Sequence, residues 1–359
     1  MYPVEAPAAY PRSQWYVAGY GEEFTSKVFG RRILGDRIIF FRSADGAPVA
    51  LSGRCVHRYM PLENAELKND WVVCPYHGYS YDKMGQCQAI PTGGPISKHA
   101  RLRRYPVVER GPLVWIWMGD PDKPQLERLP NPVEIGLGDG QSDWCVVIAK
   151  TFPLQARAGL LVDNLFDLSH LAFIHSRSLA GAGSLVMLPP TIETVDGRLR
   201  VSRVIPKMEF EPGSGLDRTI PVARKHGAVY CLLHTEMYNP CLIPSTGPWV
   251  YSLTADGQPD KLIASLNFVH IVTPETDRST HYFGVVTRNY EIDNEALSQI
   301  QRAQTDTVRA EDVACLEAIE RTIDGDESSR REISTKVDEG SIAARRMLRK
   351  LIKSELEAA

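Results

Sequence analysis

Gly53-Arg54-Cys55-Val56-His57-Arg58 and Cys74-Pro75-Tyr76-His77-Gly78-Tyr79 decide the fold of this chain. They read Cys-x-His, a gap of sixteen residues, then Cys-x-x-His. Glycine or proline flanks each pair, the composition of tight loops. A single cysteine is most often a small buried hydrophobe. Two thiols and two imidazoles in two tight pairs form instead a donor set for metal. Gly53, Pro75 and Gly78 are expected to turn backbone N–H groups toward the sulfurs, hydrogen bonds that stabilise the charge of a bound centre.

Two kinds of centre use such donors. Structural zinc takes Cys₂His₂, but its ligand pairs commonly open with two or more residues between ligands, and here the first pair has one. A Rieske [2Fe–2S] cluster takes two cysteines on one iron and two histidines on the other, which raises its reduction potential. The spacing favours the cluster.

The bulk properties suit a soluble globular protein in a reducing compartment. The chain has 359 residues, enough for two domains, with 43% hydrophobic and 24% charged residues. A net charge of −3 gives no electrostatic case for nucleic acid or an anionic membrane. No apolar stretch reaches bilayer-spanning length, and Met1–Pro7 lacks the basic and apolar regions of a secretory signal. Seven cysteines, with Cys145, Cys231, Cys241 and Cys315 scattered, make no disulfide framework. Cytoplasmic localisation is the expectation.

Working outward from the two pairs, the first third reads as short strands: Arg37–Phe41, Trp71–Val73 and Pro112–Met118, punctuated by Gly, Pro and Asp. Composition shifts after Gly119-Asp120-Pro121, which predicts domains at 1–120 and 121–359. Residues 156–175 turn helical, 190–290 return to strand alternation, as in Tyr282–Thr287, and 293–322 predict one long helix. Its apolar stripe is expected to run through Glu295, Ala296, Ile300, Ala303, Val308, Val313, Leu316 and Ile319. Ser341–Ala358 reads as a basic amphipathic helix docked on its own domain. The fold class is α+β with an antiparallel C-terminal sheet.

A second constellation lies in Asp163-Asn164-Leu165-Phe166-Asp167-Leu168-Ser169-His170 with His175. Asn164, Asp167 and His170 recur every three residues and share one face of a helix. His175 is five residues beyond His170, about 140° round an ideal helix, so both imidazoles reach one ion only if the helix ends or distorts between them. Two histidines and a carboxylate form the facial triad of non-haem Fe(II) oxygenases. The carboxylate must come from elsewhere, and the best candidates lie in Arg309-Ala310-Glu311-Asp312-Val313-Ala314-Cys315-Leu316-Glu317 of the long helix, with Asp306 just before it as a fallback.

Gly53–Tyr79, followed by Tyr81-Asp82, Gly85, Ile90-Pro91 and Trp115-Ile116-Trp117-Met118-Gly119, resembles the Rieske domain of ring-modifying oxygenases. Ala65 and Tyr79 depart from the glycine and tryptophan usual there, and neither is a ligand. Tyr59 and Tyr76 stand where respiratory Rieske proteins carry disulfide cysteines. The Asp163–His175 stretch resembles the catalytic motif of vanillate O-demethylase-type oxygenases. That resemblance implies a helix-grip, START-like catalytic domain. It implies Cys55, His57, Cys74 and His77 on a [2Fe–2S] cluster, and His170, His175 and Asp312 on mononuclear Fe(II). It implies Asn164 near the iron, and Asp167 bridging it to a Rieske histidine, His77, of a neighbouring subunit in a head-to-tail homotrimer.

The function so implied is the oxygenase component of a multicomponent monooxygenase, removing a methyl group from a methoxylated aromatic compound with O₂. NAD(P)H would act only through a separate reductase or ferredoxin, since the chain has no Gly-x-Gly-x-x-Gly fingerprint. A ring-hydroxylating dioxygenase or a steroid or alkyl-side-chain hydroxylase are alternatives on the same scaffold, and a zinc-stabilised ligand-binding module is the non-enzyme alternative. Substrate is expected among residues 200–300. His234, His281, Asn267, Tyr238 and Arg288 are the polar candidates there, each expected to serve packing or surface.

Overall fold

The computed structural model describes residues 10–179, 188–210, 212–323 and 333–358. Met1–Pro7, read above for targeting signals, lies outside them. The chain divides into two compact units: Arg12–Leu129 with Thr273–Asp277, and Pro130–Val272 with Arg278 onward.

The first unit is built of short antiparallel strands. Trp15–Tyr20, Leu113–Trp117 and Val107–Arg110 form one sheet with Leu113–Trp117 central, pairing Trp15 with Trp117. Phe29–Ile33, Asp36–Arg42, Pro48–Ser52 and Arg104–Tyr105 form a second. Ile38, Ile39, Phe40 and Phe41 are all buried, as a strand apolar on both faces requires. Glu66–Lys68, Trp71–Val73, Ser80–Tyr81 and Cys87–Ala89 form the third. One core cluster joins Ile39, Phe41 and Leu51 to Cys55, Leu62, Cys74 and Tyr81, so the two cysteines are anchored in packed hydrophobic surface.

The unit ends at 129 rather than at the expected 120, for a local reason. Trp15 Nε1 donates to the Gln125 carbonyl (2.8 Å), and Arg128 Nη1 donates to the Ser13 carbonyl (3.3 Å). The Pro-rich stretch is thereby tied to the first strand. Composition marked the end of the last strand, not the end of the packing.

The second unit is an antiparallel sheet and a long helix. The strands run in the order Cys145–Ile148, Thr280–Arg288, Pro259–Pro274, Leu242–Leu253, Val229–Met237, Arg198–Met208 and Thr191–Val195. Phe152–Leu154 also pairs with Thr280–Arg288. The helices are α1 (Ala158–Phe166), the single turn α2 (Gly215–Thr219), α3 (Glu295–Ile323) and α4 (Glu339–Ala358). Ser341 Oγ donates to the Asp163 carbonyl (2.8 Å) and Arg345 Nε to Asp163 Oδ1 (2.7 Å), docking α4 on α1.

The long helix forms where expected, yet its inner face is not the expected apolar stripe. Leu297, Ser298, Gln301, Thr305, Arg309, Asp312, Leu316 and Glu320 are buried, whereas Ile300 and Ile319 are exposed. The buried positions recur every three or four residues, as one helix face must. They are mainly polar, because this face carries hydrogen bonds to the rest of the unit. Arg309 donates to the carbonyls of Lys150 (2.6 Å) and Tyr282 (2.5 Å). Gly284 leaves room for its guanidinium, since a Cβ there would collide with Nη1. Arg157, at the start of α1, forms a buried bidentate pair with Glu320 (2.7 and 2.8 Å).

Candidate metal centres

The Cys55 and Cys74 loops share one hydrogen-bond frame. Cys55 N–H donates to the Met60 carbonyl and Tyr59 N–H to the Cys55 carbonyl, both at 2.9 Å. Cys74 N–H donates to the Tyr79 carbonyl (2.8 Å) and Gly78 N–H to the Cys74 carbonyl (2.9 Å). Four residues after each cysteine the backbone turns left-handed, at Tyr59 (φ 57°) and Gly78 (φ 71°). Glycine takes that conformation without strain; a tyrosine there costs conformational energy that the loop's hydrogen bonds must offset.

Within this frame the two thiols are buried, while His57 is half-buried and His77 exposed. The imidazoles meet edge to face at 4.6 Å, and His57 stacks on Tyr79 at 4.7 Å. His57 Nδ1 is buried without a hydrogen-bond partner. Burial pushes the Cys55 thiol pKa up, and burial followed by the neighbouring His77 and Arg58 charges pushes His57 down. The glycines' own N–H groups are spent on carbonyls: Gly53 N–H donates to that of Arg37 (2.7 Å), and Gly78 N–H to that of Cys74 as above. The backbone N–H that turns to the Cys55 sulfur is that of His57, and the Tyr81 hydroxyl meets the same sulfur (3.1 Å).

The second site forms where α1 stops. Asp167 leaves helical geometry (φ −108°, ψ 102°), and its carboxylate Oδ1 accepts from Ser169 N–H (2.7 Å), capping a short 3₁₀ turn, Leu168–Ala172. The face shared by Asn164, Asp167 and His170 is therefore broken at Asp167. This is the distortion that lets His175 reach the same point as His170. His170 Nδ1 meets the backbone carbonyl of Asp167, not its carboxylate.

α3 brings the carboxylates. His175 Nε2 lies 3.0 Å from Asp312 Oδ1, and His170 Nε2 lies 3.7 Å from the same oxygen. On the opposite edge of the ring, His175 Nδ1 lies 2.7 Å from Glu311 Oε2, which also accepts from Ser178 Oγ (2.6 Å). Asn164 Nδ2 donates to Asp312 Oδ1 (3.1 Å), and its own Oδ1 is buried without a partner. Both imidazoles thus have Nδ1 occupied by an acceptor and Nε2 turned toward Asp312, the tautomer a metal ligand needs. Glu311 orients a ring, whereas Asp312 stands among the donors. Asp306 is elsewhere, accepting from Lys150 N–H (2.9 Å).

Electrostatics separates the two histidines. Burial holds the His170 pKa below its ordinary value despite Asp312. Burial also lowers His175, but the hydrogen bonds and charges of Asp312 and Glu311 outweigh it and leave its pKa raised. Among the described residues, the group of three or more such donors drawn within 4.8 Å of one another is His170, His175 and Asp312. That trio fits a single ion with room for further ligands. Cys55 and Cys74 interact with each other and the His57 and His77 rings meet, so two thiols and two imidazoles are paired as a two-iron cluster with mixed ligands uses them.

Above the trio lies a cavity of about 400 Å³, mostly apolar, walled by Leu165, Leu168, Leu171, Ile205 and Phe268 among others. His234 lines it, against expectation, and so does His270, which sequence reading missed. Asn267, Arg288, Tyr238 and His281 do not. Asn267 accepts from Trp249 Nε1 (2.8 Å), Arg288 Nη1 donates to Gln301 (2.9 Å) and the Tyr238 hydroxyl donates to Glu134 (2.6 Å).

Two family models match: the Rieske [2Fe-2S] domain over residues 14–106 and the vanillate O-demethylase oxygenase C-terminal domain over residues 154–354. The chain belongs to the Rieske non-haem iron oxygenases. The iron-sulfur subunit of the toluene-4-sulfonate monooxygenase system of Comamonas testosteroni is 31% identical to this oxygenase over 96% of the chain and 97% of the relative. The oxygenase component of dicamba O-demethylase from Stenotrophomonas maltophilia is 31% identical over 97% and 99%. A crystal structure of dicamba monooxygenase bound to dicamba superposes with a TM-score of 0.82 at 30% identity, covering 96% of this oxygenase and 98% of that chain. The family uses a Rieske cluster and a mononuclear iron and works with a separate electron donor. No described helix is long and apolar enough to cross a membrane.

Proposed function

We propose that this oxygenase removes a methyl group from a methoxylated aromatic compound. One methoxyarene, one O₂, two protons and two electrons give one phenol, one formaldehyde and one water. The observation that carries the reading is the His170–His175–Asp312 trio beneath an apolar cavity of about 400 Å³, large enough for a substituted ring. When bound, the cluster and the iron supply electron delivery and O₂ activation.

The residues have distinct tasks in this scheme. Cys55, His57, Cys74 and His77 hold the cluster, with the Tyr81 hydroxyl and the His57 backbone N–H on the Cys55 sulfur. His170, His175 and Asp312 hold the iron. Glu311 fixes the His175 ring from behind and Asn164 fixes Asp312. The apolar wall excludes water and aligns the methoxy group over the iron position.

Asp167 is assigned the bridge between subunits. It lines a second cavity of about 210 Å³ together with His170 and Asn164, and its carbonyl already meets His170. An imidazole entering there, the partner subunit's His77, would be linked to His170 through a single residue. A head-to-tail homotrimer supplies that arrangement, and a reducing cytoplasm suits seven free cysteines. Asp167→Asn should keep both metal centres and lose most coupled turnover; wild-type turnover refutes the bridge.

The reaction itself is tested with a surrogate reductase and a panel of methoxylated aromatics, acidic and neutral, following formaldehyde release and O₂ uptake. Equimolar formaldehyde and O₂ with at least one member supports demethylation. A cis-diol product, or O₂ uptake with no formaldehyde across the panel, refutes it.

A further inference from the structure

We propose that the cavity selects an electrically neutral arene, anchored by a hydrogen bond from His234, and discriminates against carboxylate- or sulfonate-bearing rings. The inference rests on the demethylase reading for where the substrate lies, and it adds the substrate's charge and its contact.

An anion taken out of water needs a cation or several donors to replace its hydration. Among the described residues lining the cavity, no ionisable side chain supplies a free cation, and the neutral donors, Thr305 with its buried unpartnered Oγ1 among them, carry no charge to balance an anion. His170, His175 and Asp312 belong to the metal site, and Glu209 is an exposed anion. Arg309 is the cation among them, and it is already engaged. Its guanidinium donates to the Lys150 and Tyr282 carbonyls and lies over the Tyr282 ring at 4.1 Å and the Phe152 ring at 5.1 Å. Its Nε is buried without a partner. A bidentate clamp on a carboxylate needs the free fork that Arg309 does not present.

The two remaining histidines are neutral near pH 7. Burial, and then the Arg309 charge, hold His270 at about 3, with its Nδ1 on the Tyr282 hydroxyl (2.5 Å). Burial, and then the Arg200 charge, hold His234 at about 4.

His234 is held firmly. Its backbone N–H donates to Thr246 Oγ1 (2.8 Å), and its ring meets Trp249 edge to face at 4.9 Å and 82°. Trp249 is fixed by Asn267, and Asn267 by Thr287 (3.0 Å). The residue is 6% exposed and its Nδ1 is buried with no partner. A buried nitrogen left as an acceptor is tolerated better than an orphaned N–H. The proton therefore resides on Nε2, the ring nitrogen through which a cavity ligand can be met. A neutral N–H donor in an apolar wall suits a carbonyl, ether or hydroxyl oxygen on an uncharged ring.

The test is calorimetric binding to the metal-loaded protein of three ester–acid pairs, beginning with methyl 4-hydroxy-3-methoxybenzoate and 4-hydroxy-3-methoxybenzoate. Each ester should bind at least about tenfold more tightly than its acid. His234→Phe keeps the ring and removes the donor; it should weaken ester binding about tenfold and leave the cluster spectrum and melting temperature unchanged. His234→Gln should restore much of the loss. Acids binding as tightly as esters, no ester binding, or undiminished ester binding by His234→Phe overturns the proposal. Because binding is read without turnover, ester selectivity with no formaldehyde would sink the demethylase reading and leave this one standing.

Discussion

The two metal centres are assembled in opposite ways. The residues proposed to hold the cluster come from two adjoining loops with the same hydrogen-bond frame, each closed by a left-handed residue four positions after its cysteine. The residues proposed to hold the iron come from a broken helix end and from α3, with His175 and Asp312 137 positions apart in the chain. A centre built from local loops is written in a short stretch of sequence and depends on loop geometry. A centre built from distant segments depends on whatever holds those segments together, here the polar inner face of α3. The first should fail by losing its ligands, the second also by losing its supports.

The sharpest contrast comes from removing a cluster ligand. Cys74→Ser should abolish the visible bands of the cluster and all reductase-coupled turnover, while iron still binds at His170, His175 and Asp312. Absorption spectra and metal analysis of the same sample check it; turnover surviving without the cluster would break the division of labour.

Next in size is a support with no metal contact. Arg157→Ala takes both guanidinium bonds from the buried Glu320 carboxylate and leaves it the backbone N–H of residue 157, which should cost about 3–5 kcal/mol and appear as a lowered denaturation midpoint. A change inside 1 kcal/mol would mean that the pair does not hold α1 to α3. Glu311→Gln tests orientation alone: the His175 ring loses its charged partner, and iron affinity should fall roughly 10–100-fold by chelator competition with the fold intact. The smallest effect is expected at the cluster. Tyr81→Phe removes the hydroxyl from Cys55, which favours the more negative reduced cluster, so the potential should drop by roughly 30–60 mV. Protein-film voltammetry measures it, and a rise would reverse the assigned role.

The same contrast explains what could be read from the sequence. Cys55, His57, Cys74 and His77 are legible as a candidate quartet because two short, similarly spaced pairs carry them. His170 and His175 were legible as a pair, and the need for a helix break between them followed from helical geometry. Asp167 ends α1 and starts a 3₁₀ turn, and a three-residue recurrence does not reveal that. The face of α3 was misread for a clearer reason. Periodicity analysis seeks apolar residues, and α3 buries Gln301, Thr305, Arg309, Asp312 and Glu320 while exposing Ile300 and Ile319. A long helix in which the polar residues hold the period is itself a signal of a buried site, and it would have pointed to Asp312. The end of the first unit near 129 was hidden because side-chain-to-carbonyl ties such as Trp15 to Gln125 leave no compositional trace. His234 carried no local pattern; only the register of its strand turns it to the cavity.

Counting iron tests the separation of the two centres most directly. The account predicts about three irons per chain in the wild type, two in the cluster and one in the triad. Asp312→Ala should retain about two, with an unchanged spectrum of the reduced cluster, and Cys74→Ser about one. Zinc in the wild type, or an Asp312→Ala protein that keeps all its iron or loses all of it, would contradict it.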